Sequence, residues 1–244
     1  MQLTGLLTAE HRQQRPHATR RRDLFAAACL GDARKRRGRG RTHFGILRLL
    51  DHGQPEEGET VLVSGAAGAT GSVVGQIAKL TGCRTIGIAG GEKKCAWLTD
   101  VAKFDGAIDY KSEDVSERIG ALCPNKWDIF FDNVAGPILE AALNHLNLYS
   151  RVVMCGGIAN YNNIEPEPGP SNLMNIVTDR GRMQGFIILD YLPRAMEAIE
   201  ALVGWVSAGD IVYEVDVQEG FGNIPQTLQR LYTGENFGKQ LLRI

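Results

Sequence analysis

The stretch from Val61 to Lys79, VLVSGAAGATGSVVGQIAK, joins an apolar segment, a glycine-spaced turn and an amphipathic segment without a gap. That order predicts a strand, a phosphate-binding turn and a helix, the opening of a nucleotide-binding βαβ unit. Val61, Leu62 and Val63 are apolar and mostly β-branched, as a strand buried on both faces requires. Gly65, Gly68 and Gly71, with Ala69 and Thr70 between the last two, keep the turn nearly free of side chains. A pyrophosphate then reaches the orphan N–H groups at the helix start, where the helix dipole also favours an anion. Val73, Val74, Ile77, Ala78 and Leu80 follow at helical spacing and pack the helix onto the sheet. The spacing is GxxGxxG rather than GxGxxG, and a plain structural turn is the competing reading. Context favours the dinucleotide, because a second apolar run, Arg84 to Ala89, follows as the next strand.

The end of that second strand bears on which dinucleotide is bound. An NAD site usually carries a carboxylate there for the ribose hydroxyls. This chain has Gly90 and Gly91, then Glu92, Lys93 and Lys94. A bare glycine pair leaves room for a 2′-phosphate and a lysine neutralises it, so NADP(H) is expected over NAD(H). The alternative is that both lysines only solvate the first turn of the next helix.

Composition sets the class. With 244 residues, 43% of them apolar, the chain can build one substantial core. No run approaches the roughly 18 apolar residues of a membrane span, and a cytoplasmic protein without a membrane partner is expected. Five scattered cysteines, Cys29, Cys83, Cys95, Cys123 and Cys155, form no CxxC pair, so neither a disulfide framework nor a zinc site is expected. Residues 1–41 hold eleven basic and three acidic side chains, a net charge of +8, against −9 for the remainder. Residues 1–43 therefore read as a disordered, Arg-rich arm.

From Phe44 the texture changes to alternating strands and helices. A short helix at FGILRLLDHG precedes the first strand. After the first βαβ unit come helices near 92–101, 113–122, 137–146 and 192–208, and strands near 106–110, 127–132, 151–155 and 183–189. The pattern predicts an α/β fold, a doubly wound parallel Rossmann sheet over residues 44–210. Residues 211–244 depart from it, with a strand-like IVYEVDV, a helix near 224–233 and a final FGKQLLRI.

These segments are similar to the zinc-independent medium-chain dehydrogenase/reductases that include prostaglandin, alkenal double-bond and curcumin reductases. VSGAAGATGSVVGQIAKLTGC, GIAGGEKKC, FFDNVAG, SRVVMCGGIANYN, RMQGFIILD and ENFGKQLLRI carry the resemblance, in the family's order. It implies an NADPH-dependent oxidoreductase that delivers a hydride to the β-carbon of an enal or enone. It implies that Lys93 and Tyr110 contact the 2′-phosphate, and that Tyr161 stands by the nicotinamide ribose and the reacting carbonyl as the catalytic hydroxyl. It implies further that Asn133 and Cys155 line the nicotinamide and that Asn236 reaches the cofactor; Ile158 and Phe186 lie near the strand ends, where the sheet topology places a cofactor.

The resemblance also implies an N-terminal GroES-like domain, which this chain lacks for the most part, with residues 211–244 its C-terminal remnant and their apolar strand without a partner sheet. The arm before Gly40 is unlike the family; its Arg-, Ala- and Gly-heavy texture favours an out-of-frame or wrongly called gene start in GC-rich DNA, with a truncated paralogue or an added basic arm as the alternatives. A nucleic-acid-binding arm is disfavoured, since Phe25 is its only aromatic residue. A homodimer is the expected partner state. The alternative function is an NADPH-binding module without catalysis.

Overall fold

The computed structural model describes residues 49–165 and 167–244. The basic arm and the start of the helix expected from Phe44 lie outside them. A short helical turn, Leu49–Gly53, leads into β1 (Thr60–Ser64), α1 (Gly71–Leu80), β2 (Arg84–Ala89), α2 (Glu92–Asp100) and β3 (Gly106–Asp109). Then follow α3 (Val115–Leu122), β4 (Trp127–Asp132), α4 (Gly136–Ala142), β5 (Leu146–Met154), α5 (Met174–Thr178) and β6 (Arg182–Gly185). The chain ends with α6 (Ala195–Ala208), β7 (Val215–Glu219), α7 (Ile224–Tyr232) and β8 (Lys239–Arg243).

β1 to β6 form one parallel sheet in the order β3-β2-β1-β4-β5-β6. The order reverses between β1 and β4, and in such sheets the crevice beyond the strand ends at that point is where ligands bind. All five residues of β1 are buried. Val61, Val63, Phe131 and Val153 pack on one face with Val74 and Ile77 of α1, while Leu62, Ile86, Phe130 and Val152 pack on the other with Leu139 of α4. Each such fully buried side chain contributes about 1.5–3 kcal/mol, which makes the central strands the rigid frame of the molecule.

The structure corrects three expectations. α4 stops at Ala142 and β5 begins at Leu146, because Leu146 is buried opposite Trp127 in the sheet. β6 ends at Gly185 instead of running to Leu189: Phe186 turns inward against Phe131 and His52, and the chain wraps through Ile188–Arg194 before α6 starts after Pro193. The strand of the last segment does have a partner, since β7 pairs in parallel with β8.

That last segment is docked firmly on the Rossmann frame. The buried Gln76 side chain of α1 donates to the Val212 carbonyl at 2.8 Å and accepts the Val212 N–H at 2.8 Å. Trp97 Nε1 donates to Glu214, and Phe237 meets the Trp97 ring edge-on at 5.5 Å. Gly238 donates its N–H to the Ala67 carbonyl at 2.9 Å, within the glycine-rich turn itself. Within the segment, Asp216 accepts from Arg230 at 2.8 Å and from the Phe237 N–H at 3.2 Å, tying β7, α7 and the turn before β8 together.

Gly238 has φ +71°, and a Cβ there would stand 2.1 Å from the Glu214 carbonyl oxygen. Gly238→Ala is therefore expected to destabilise the protein by about 2 kcal/mol or more, measured by denaturant unfolding. Faster amide exchange should appear across 212–239 while β1 and β4 stay protected.

Candidate functional site

The glycine-rich turn leaves β1 at Gly65 and enters α1 at Gly71. A Cβ at Gly71 would lie 2.4 Å from the Gly65 carbonyl oxygen, so the turn closes only with glycine there. The Gly68 N–H returns to the Gly65 carbonyl at 2.9 Å. α1 begins at Gly71 with Thr70 as its N-cap, and a helix leaves the N–H donors of this first turn without internal partners. A helix start of this kind, backed by the helix dipole, favours an anion.

Asp132, at the end of β4, is fully buried and organises the neighbouring strand ends. Its carboxylate accepts from the Ser64 hydroxyl at 2.6 Å, the Val134 N–H at 2.9 Å and the Ala135 N–H at 3.1 Å. Ser64 in turn accepts the Asn133 N–H at 2.8 Å, and the Asn133 amide donates to the Ser64 carbonyl at 2.7 Å. The Asp132 carbonyl takes the N–H groups of Cys155 and Gly156. The ends of β1, β4 and β5 are thus laced through one residue. Ala135 is held at φ +61°, a strained conformation for a side-chain-bearing residue that costs about 1–3 kcal/mol and that its bonds to Asp132 offset. Burial pushes the Asp132 carboxyl above its ordinary pKa, and the Ser64, Val134 and Ala135 donors pull part of the way back.

A second ledge lies at the end of β2. Gly90 and Gly91 face the loop after β3, where Tyr110 and Lys111 lie over Gly90. Asp109 joins the two loops, accepting the Gly91 N–H at 2.7 Å, the Lys111 N–H at 3.0 Å and the Ser112 hydroxyl at 2.9 Å. The Gly91 bond is the leading reason its carboxyl is held below the usual range. Lys94 donates to the Gly234 carbonyl at 2.7 Å, and its ammonium is made more acidic by burial and then by the nearby Lys111. The Lys93 ammonium sits 5.6 Å from the Phe237 ring centre.

Tyr161 follows a short helical turn, Ile158–Asn160, and is 63% exposed. Its hydroxyl accepts the Gly157 N–H at 3.2 Å, next to Gly156 and the Asn133 carbonyl. Ile158 donates its N–H toward the Asn133 carbonyl at 3.5 Å. Asn236 lies in the turn before β8, its amide donating to the Gly238 carbonyl at 3.1 Å. Expected site residues on β1, β2, β4, β5 and the final turn therefore gather at the carboxyl end of the sheet. Phe186 packs its ring inward at the border of a cleft of about 410 Å³ lined by Asp51, His52, Tyr191 and Arg194.

Residues 69–206 match the family described as zinc-binding dehydrogenase, more than half of the chain. The chain belongs to that family. NADPH-dependent curcumin reductase of Escherichia coli (strain K12) is 42% identical over 203 residues, covering 81% of this chain and 59% of that protein. The 2-alkenal reductase (NADP(+)-dependent) of Nicotiana tabacum is 40% identical over 191 residues, 78% of this chain and 55% of that protein. Among solved structures, CurA in complex with NADPH from Vibrio vulnificus matches with a TM-score of 0.78 at 40% identity, over 82% of this chain and 61% of that one. The chain thus spans less than two thirds of the length of these relatives. Among the described residues, no group of three or more His, Cys, Asp or Glu side chains is placed to hold a metal ion. No helix among them is long and apolar enough to cross a membrane.

Residue-by-residue reading missed Ser64, Asp109, Lys111 and Asp132. The available signal was a carboxylate at the end of an apolar strand, in FFD and AID, where an unpaired charge would otherwise be costly. Asp132→Ala leaves a hydroxyl and two N–H groups without an acceptor and is expected to cost about 3 kcal/mol. Because the native pKa is raised, the pH-dependent part of the wild-type residue's contribution is complete below the ordinary carboxylate pKa and falls away as pH rises through the raised value, while the acceptor bonds remain. Denaturant unfolding across that window should show this slope in the wild type and its absence in Asp132→Ala.

Proposed function

We propose that this chain binds NADPH across the carboxyl ends of β1, β2, β4 and β5 and reduces the C=C bond of an α,β-unsaturated aldehyde or ketone. The observation that carries the reading is the convergence of the helix start at Ala69–Gly71, the cationic ledge at Gly90–Gly91 and the Tyr161 hydroxyl on one edge of the sheet. NADP-dependent reductases named for curcumin and 2-alkenals among the relatives support it.

The turn from Gly65 to Gly71 holds the pyrophosphate through backbone N–H groups, with no side chain in the way. Lys93, Lys94 and Tyr110 surround the 2′-phosphate on the Gly90–Gly91 ledge, while Asp109 joins the two loops behind it through three accepted hydrogen bonds. Asn133, Cys155, Ile158 and Phe186 border the nicotinamide, and Asn236 closes from the final turn. When bound, NADPH supplies the hydride that adds to the β-carbon of the substrate. Tyr161 accepts the Gly157 N–H with a lone pair, which leaves its own proton to be donated to the enolate oxygen as charge develops there. In this reading the protein works in the cytoplasm without a zinc ion. It works as a homodimer, for which exposed Met174, Val177, Ile187 and Leu189 beside edge strand β6 give support.

An assay of the 244-residue chain with NADPH and a simple alkenal tests the proposal. NADPH oxidation coupled to loss of the C=C bond is expected, and Tyr161→Phe should lower kcat about tenfold to a hundredfold with NADPH affinity unchanged. Tight NADPH binding by folded protein with no turnover would overturn the catalytic part and leave a cofactor-binding module.

A further inference from the structure

The Gly90–Gly91 ledge carries a third cation. A Cβ on Gly90 would lie 2.9 Å from Lys111 Cε and 2.8 Å from Tyr110 Cε1, so the lysine stem crosses the ledge where glycine leaves a gap. Its backbone is registered to that gap, because one oxygen of Asp109 accepts both the Lys111 and the Gly91 N–H groups. The other two lysines already have company: Lys94 donates to the Gly234 carbonyl, and Lys93 sits over Phe237. Among the described residues the Lys111 ammonium makes no hydrogen bond or ion pair; its backbone N–H bonds to Asp109, whose carboxylate the ammonium also favours at longer range.

We infer that Lys111 is a specificity-determining residue, which pairs with the 2′-phosphate on this ledge and so sets the preference for NADPH over NADH. The inference rests on the reading of the site as an NADPH site. Tyr110 and Lys111 then form a unit in which the ring floors the ledge and the ammonium meets the phosphate. A dianion placed between Lys94 and Lys111 relieves the repulsion that these two cations exert on each other. Without the phosphate, as in NADH, Lys111 loses its dianionic partner and adds little to dinucleotide binding.

The test is fluorescence titration of the full 244-residue chain with NADPH and with NADH, for wild type, Lys111→Met and Lys111→Arg. Lys111 is exposed, so both variants retain the fold. Wild type is expected to prefer NADPH. Lys111→Met should weaken NADPH binding about tenfold, leave NADH within twofold, and lessen the loss of NADPH affinity with added salt. Lys111→Arg should restore most of the preference. NADPH affinity within twofold of wild type in Lys111→Met, in a protein that still prefers NADPH, would overturn the role of Lys111 alone. A wild-type chain that binds neither dinucleotide would overturn the cofactor reading and this inference with it.

Discussion

A buried carboxylate at the reversal of the strand order holds the site together. Asp132 has no solvent contact and bonds only to groups that must stay in register: the Ser64 hydroxyl at the end of β1 and the N–H groups that turn the chain into α4. A buried carboxylate is costly unless each of its lone pairs finds a donor, so the hydrogen bonds at Asp132 are obligatory. They fix where the glycine-rich turn leaves the sheet, where Asn133 points and how closely the Cys155–Gly157 backbone follows.

Asp109 repeats this device one strand pair away, joining the β2 and β3 loops at a partly exposed position. The two carboxylates do opposite things to their own acidity. At Asp132 burial dominates and raises the pKa, whereas at Asp109 the Gly91 N–H dominates and lowers it. Both carboxylates spend their hydrogen bonds on the protein's own loops. The last segment completes the rim: Gly238 bonds to the glycine-rich turn, and Gly234 receives Lys94. Movement of that segment would therefore be felt at the phosphate end of the site.

Much of the fold was legible because apolar strands buried on both faces announce themselves as short Val, Ile and Phe runs, and glycine punctuates the turns between them. β2 and β4 fall on the runs Arg84–Ala89 and Trp127–Asp132. The continued apolar run after Gly185 misled, since periodicity cannot distinguish a strand from a chain that leaves the sheet with one side chain, Phe186, turned inward. The β7–β8 pair was hidden because parallel partners separated by a helix leave no local hairpin signal. In the site, the glycines were readable from spacing. Asp132 and Lys111 were not, because what defines them is a partner 68 residues away in one case and a gap over Gly90 in the other.

Hydrogen exchange of the intact chain with and without NADPH tests the central claim, that one dinucleotide surface runs along the carboxyl edge of the sheet. The account predicts joint protection of segments 65–72, 89–94, 109–112, 133–135, 155–161 and 233–238, with α3 and α5 unchanged. Protection confined to the cleft around His52 and Tyr191, or none at any of the six segments, would contradict it.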